Sequence, residues 1–168
     1  MGGQWEGVEN ITGTAFADRI GGTGLANLPR CMSGADEMVG QDGTDNLAGG
    51  GGKDTLSGGR ENDTFPFHRP GDIGDIVPDF LSALTGNNDW FPISASGFGG
   101  GQLAGALGAA QFRARADNAA QDAGDRFIFR TTDQTLWFDS DGTGVELAVM
   151  VADLQAGAST TFADIVIF

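Results

Sequence analysis

The chain has one cysteine, Cys31, and one histidine, His68, in 168 residues. A lone cysteine excludes an internal disulfide, and paired thiol ligands for a structural zinc are absent. One histidine excludes a two-histidine metal site or mechanism built from this chain, and neither a GxSxG elbow nor an HExxH helix occurs. His68, next to Phe67 and close to Pro70, reads as a loop residue rather than a catalyst. Basic residues are also scarce. Nine Lys plus Arg face 23 Asp plus Glu, for a net charge of -14, which opposes nucleic acid and anionic membrane surfaces and favours cations. No apolar run approaches the ~20 residues of a membrane span. The first residues form neither a basic segment nor an apolar core of a leader, so membrane insertion and Sec-type export are not expected.

What is abundant is glycine, with 29 residues, and it recurs in a frame of nine. From Gly13 the blocks read GTAFADRIG, GTGLANLPR, CMSGADEMV, GQDGTDNLA, GGGGKDTLS and GGRENDTFP without insertion. The sixth position holds Asp18, Asn27, Asp36, Asp45, Asp54 and Asp63; the eighth holds Ile20, Pro29, Met38, Leu47, Leu56 and Phe65. The first is Gly except at Cys31. A period of nine belongs to neither a helix nor an isolated strand, and signals stacked units sharing one core. The Gly-rich first six residues suit a tight turn. The last three, such as Thr55, Leu56 and Ser57, suit a short strand with one side chain inward. A flexible Gly/Asp-rich linker would not keep a large apolar residue two places after the Asp in block after block.

One buried Leu or Met contributes only about 1.5–3 kcal/mol, less than ordering nine backbone units costs. Stacked Asp side chains also repel one another unless a cation lies among them. Carboxylates with bare Gly carbonyls form a hard oxygen set that suits Ca²⁺, whereas Mg²⁺ demands a stricter octahedron with several waters. Metal binding and folding then become one event.

Residues 49–57 and 58–66 resemble the repeat-in-toxin (RTX) nonapeptide GGxGxDxUx. The resemblance implies an all-β fold, a parallel β-roll with two nonapeptides per coil and Ca²⁺ between blocks two apart. It implies one ion held by carbonyls of Gln41, Gly43, Gly58 and Arg60 with Asp45 and Asp63. A second is held by carbonyls of Met32, Gly34, Gly49 and Gly51 with Asp36 and Asp54. A weaker third would join Thr23, Leu25 and Asn27 to Gly40, Asp42 and Asp45, and Asp18 is a weaker ligand upstream. Phe16, Leu25 and Glu61 replace the fourth-position Gly and Met32 the second, so the upstream end reads as a cap. After Phe65, either Asp72 or Asp75 continues the ligand column.

The composition changes after Asn88. A short helix is expected around residues 102–107, although Gly105 and Gly108 each weaken it by ~1 kcal/mol. A hairpin is expected from residues 126–130 and 135–138, with further strands at 146–151 and 165–168. Residues 139–144 begin like an EF-hand loop, but Met150 stands where the closing Glu belongs, so an Asp-Gly turn is expected. Arg113 and Arg115 read as solvated surface. This half is similar to the C-terminal region of type I secretion substrates of the serralysin type. That similarity implies an uncleaved export signal in Asp164, Ile165, Val166, Ile167 and Phe168.

The resulting expectation is a lead-in over residues 1–12, a calcium-binding β-roll over 13–80 and a β-rich secretion domain over 81–168. It takes two Ca²⁺, with a frame able to carry three or four, and no catalysis of its own. Calcium and the type I secretion machinery are its expected partners, outside a Gram-negative cell. Two alternatives stand beside it: the tail of a secreted hydrolase such as a serralysin-like metalloprotease or lipase, or a polysaccharide-binding or adhesive module.

Overall fold

The computed structural model describes residues 1–82, 87–99 and 101–168. Its strands are β1 (Gln4–Trp5), β2 (Asn10–Thr12), β3 (Arg19–Gly21), β4 (Leu28–Arg30), β5 (Glu37–Asp42), β6 (Thr55–Arg60), β7 (Asp75–Val77) and β8 (Phe91–Ile93) in the first part. After a four-residue helix α1 (Ala95–Phe98) come β9 (Gly105–Ala106), β10 (Phe112–Arg115), β11 (Phe127–Arg130), β12 (Thr135–Phe138), β13 (Val149–Leu154) and β14 (Ile165–Ile167).

The nine-residue frame folds as a parallel β-roll. Blocks alternate between two walls, so the residues that pair across turns are 18 apart: Arg19 with Glu37, and Glu37 with Thr55. One wall is the run β1-β3-β5-β6-β7, all parallel. The other begins as β2-β4 and continues through parallel bridges Arg30 to Ala48, Asn46 to Thr64 and Thr64 to Trp90. The eighth residue of each block turns inward as the period-2 geometry of a strand requires. Ile20, Met38 and Leu56 are buried on the first wall, and Leu47 and Phe65 on the second. Pro29 keeps its place in the β2-β4 ladder, opposite Ile11.

The core thickens toward the C-terminal end of the roll. Phe80 stacks on Phe91 with centroids 4.5 Å apart, and Phe65 and Phe67 each lie 6.0 Å from Phe91. The long wall then runs on through β13, parallel to β7, into the antiparallel strands β12 and β11 and the parallel edge β10. β14 pairs parallel with β8 and antiparallel with β9, so the chain's last residues close the second wall.

The expected hairpin is β11 and β12. Two expectations shift. The helix lies at Ala95–Phe98 rather than 102–107, where Ser94 accepts the Gly97 N–H as its cap and Gly105 instead joins a strand. The strand expected at 146–151 is Val149–Leu154, because the Glu146 backbone N–H donates to the Asp141 carboxylate at 3.1 Å, which extends the preceding turn. In that turn Asp139 accepts the N–H groups of Asp141 and Gly142 at 3.1 and 2.7 Å, an Asx turn. Arg113 and Arg115 are not simply solvated. Arg113 meets Asp122 and Asp125 at 2.9 and 3.1 Å, and Arg115 meets Asp117 at 2.8 Å. No helix among the described residues is long and apolar enough to cross a membrane.

Candidate metal centre

The sixth residue of each block immediately precedes the strand or bridge of that block. From there its side chain is buried and meets the neighbouring turn. The backbone N–H of Asp18 donates to Asp36 Oδ1 at 2.8 Å, Asp36 N–H to Asp54 at 2.8 Å, and Asp54 N–H to Asp75 at 2.9 Å. On the opposite edge Asn27 N–H donates to Asp45 at 2.7 Å, Asp45 N–H to Asp63 at 2.9 Å, and Asp63 N–H to Asp89 at 2.9 Å. Two columns of acids thus run the length of the roll, each residue at most 4% exposed.

One oxygen of each carboxylate is spent on this ladder. The other, Oδ2 of Asp36, Asp45, Asp54 and Asp63, is buried and has no hydrogen-bond partner. A buried charged oxygen without a partner is costly. Burial, reinforced by neighbouring acids, pushes the carboxyl of Asp54 up to about 6, Asp63 to about 7, Asp75 to about 8 and Asp89 to about 6. Asp36 and Asp45 move the same way for the same first reason. Asp18 goes down: burial is outweighed there by the N–H groups of Gly3 and Thr14 and by the Thr14 hydroxyl. A hard divalent cation near these Oδ2 atoms would answer the deficit, since it would supply the charge that the protein leaves uncompensated.

The glycines make the space. A Cβ on Gly40, Gly49 or Gly58, the first residue of its block, would fall 2.1, 2.3 or 2.2 Å from Oδ2 of Asp45, Asp54 or Asp63. Second and fourth positions carry left-handed backbone: Gly50 and Gly59 at φ 83 and 103, Gly34, Gly43 and Gly52 at φ 141, 115 and 130. Where Gly is missing the angle persists, at Gln41 (φ 87) and Glu61 (φ 78). Phe16, Leu25 and Met32 do not adopt it, so the upstream turns have a different backbone.

The carbonyls of Met32 and Gly51 accept N–H groups of Gly51 and Gly34, at 3.1 and 2.8 Å, which leaves each a second lone pair. Gly49 sits by Asp54 and Gly58 by Asp63, as the close approaches above require. Gln41 pairs with Gly59 and Asp42 with Arg60 along β5 and β6, and Arg60 lies 3.8 Å from the Asp42 carboxylate. At the weaker third position a protein group occupies the centre. The Asn27 side-chain amide donates to Thr23 O at 3.1 Å, to Leu25 O, to Gly40 O at 3.4 Å and to Asp45 Oδ1 at 2.9 Å. Its NH₂ group meets the oxygens that a cation would need.

Asp75, not Asp72, carries the column onward. Asp72 turns to Arg69 Nε at 2.8 Å and to the His68 N–H at 3.3 Å. Asp89 was not anticipated from the nine-residue frame. Its spacing of 26 from Asp63, and the 21 between Asp54 and Asp75, break the period. The signal that survives is an apolar residue two places after the acid: Val77 after Asp75 and Phe91 after Asp89. His68 is exposed and lies edge-on to the Phe168 ring at 5.6 Å. Asp164 is buried, with Oδ2 accepting from Ser82 Oγ and Thr161 N–H at 2.8 and 2.7 Å. Ile165 and Ile167 are in the core, while Val166 and Phe168 are exposed.

This arrangement, two stacked acid columns with glycine cradles on a parallel roll, defines a cation-binding solenoid. Residues 32–65 match the family described as the RTX calcium-binding nonapeptide repeat, in four copies. These are the four blocks that carry Asp36, Asp45, Asp54 and Asp63, and repeats of this kind bind Ca²⁺. No curated protein matches the chain.

Proposed function

We propose that the chain is the calcium-binding RTX module of a protein secreted by a Gram-negative bacterium, exported by a type I system and closed into its roll by Ca²⁺ outside the cell. Asp36 with Asp54, and Asp45 with Asp63, are the carboxylate ligands. Carbonyls of Met32, Gly34, Gly49 and Gly51 complete the first position, and those of Gln41, Gly43, Gly58 and Arg60 the second. The observation that carries this reading is the run of four buried carboxylates whose second oxygens lack any partner.

Ca²⁺ supplies the positive charge between facing acids. The chain's own residues do the rest. The Oδ1 ladder fixes each carboxylate, the first-position glycines leave its Oδ2 open, and the inward residues hold the turns together. In a cytosol poor in free Ca²⁺, acid repulsion keeps the coil open and fit for export. Outside, sites with dissociation constants of roughly 10⁻⁴–10⁻³ M fill and the roll closes. Residues 81–168 act as the secretion domain in this reading, with 164–168 as its terminal signal.

Calcium titration followed by circular dichroism, with Mg²⁺ as control, tests the switch. A gain of β-structure at millimolar Ca²⁺ and not at equal Mg²⁺ is expected; a spectrum indifferent to Ca²⁺ removes the proposal.

A further inference from the structure

The first position of a block is where the backbone passes nearest the free carboxylate oxygen, and Gly13, Gly22, Gly40, Gly49 and Gly58 keep it bare. Only block three places a side chain there, Cys31, and it is buried. Its sulfur points to the turn before: a Cβ on Gly13 would lie 2.9 Å from Cys31 Sγ and 2.7 Å from Asp18 Oδ2. One ligand atom each of Asp18, Cys31 and Asp36 lies within 4.8 Å of the others, all three residues buried. Asp36 is 2% exposed, no N–H or O–H reaches its Oδ2, and the Cys31 thiol hydrogen-bonds this carboxylate.

A sulfur with two carboxylate oxygens is the wrong set for Ca²⁺, which takes six to eight hard oxygens. It suits a borderline or soft ion that accepts thiolate, with three protein donors and a water completing a tetrahedron. We infer that Asp18, Cys31 and Asp36 form a second class of metal site at the upstream end of the roll, selective for Zn²⁺ or Cd²⁺ over Ca²⁺. The thiol gives up its proton to water as the sulfur–metal bond forms. Asp36 is shared with the first calcium position, so the site rests on the calcium reading only in that the two ions are neighbours.

The reduced full-length chain, in saturating Ca²⁺, is titrated with Cd²⁺ while the ultraviolet thiolate-to-metal charge-transfer band is recorded, and with Zn²⁺ by calorimetry. One equivalent with a charge-transfer band, displaced by Zn²⁺, is expected. Cys31→Gly restores the residue of the other blocks and should abolish the band and that equivalent. Asp18→Asn should weaken Cd²⁺ binding at least ~10-fold, with circular dichroism in Ca²⁺ reporting the fold separately, because both Asp18 oxygens also accept backbone N–H groups, of Gly3 and Thr14. Absence of the band, or the same Zn²⁺ stoichiometry in Cys31→Gly, overturns the inference. The Ca²⁺ response of Cys31→Gly by circular dichroism is a separate readout, so failure of the calcium reading is distinguishable from failure of this one.

Discussion

At the scale of the residue, the repeat acids are divided in their labour: Oδ1 joins turns, and Oδ2 is left buried without a hydrogen-bond partner. Asp54→Asn keeps an acceptor for the Asp36 N–H but removes the charge. It should lower Ca²⁺ stoichiometry by one with little loss of metal-free structure, measured by calorimetry and circular dichroism. Asn27 presents the reverse case, because its amide donates where a cation would sit. Asn27→Asp should add one Ca²⁺ per chain; unchanged stoichiometry would show that Thr23 and Leu25 cannot serve as ligands. Backbone strain offers a third handle. Gln41 and Glu61 hold left-handed angles that cost a non-Gly residue of order 1 kcal/mol or more. Glu61→Gly should therefore raise the denaturation midpoint in saturating Ca²⁺, whereas Gly58→Ala should lower it, since the new Cβ would fall 2.2 Å from Asp63 Oδ2.

At the scale of the element, each turn is a weak unit that depends on its neighbours, and the apolar side chains show it. Leu56 is 1% exposed and Phe91 is fully buried at the centre of the aromatic cluster. Leu56→Ala should cost about 2–5 kcal/mol and Phe91→Ala about 3–5 kcal/mol, read from urea midpoints in Ca²⁺. The walls of the roll were legible because Asp and an apolar residue recur at fixed offsets, and each offset maps to a turn and a strand. Asp75 and Asp89 were harder to find. The loops before them change the spacing while the ladder geometry persists, so position in space outlives period in sequence. The segment around Gln102 misled for another reason. Its Leu and Ala content is compatible with a helix locally even against Gly105 and Gly108, but Gly105 and Ala106 pair with β14, and that non-local partner decides the outcome. The Asn27 amide, too, was unreadable from the frame, where Asn looks like a lost charge rather than an internal donor.

At the scale of the whole molecule, the raised carboxyls make stability depend on pH with opposite sign in the two metal states. Folded values of about 6 for Asp54 and Asp89, 7 for Asp63 and 8 for Asp75 stand above the ordinary 3.8. The metal-free roll therefore favours the protonated acids. Their contribution is in full force below the ordinary carboxylate range and is lost as pH rises through about 6 to 8. Without Ca²⁺ the melting temperature should fall between roughly pH 5 and 8.5. Protons compete with the ion for the same oxygens, so Ca²⁺ affinity should rise over that interval. A metal-free melting temperature that climbed with pH would contradict the burial of these acids.

The ladder of Oδ1 bonds is also directional. Each ladder acid, Asp36, Asp54 and Asp75 on one edge and Asp45, Asp63 and Asp89 on the other, receives its N–H from the turn upstream, and the second column ends on Asp89, itself steadied by the Leu81 N–H at 2.8 Å beside the phenylalanine cluster. Such a polarity makes the carboxyl-proximal end a template on which earlier turns can zip one by one. A polypeptide emerging tail first would meet its own mould before its repeats arrived.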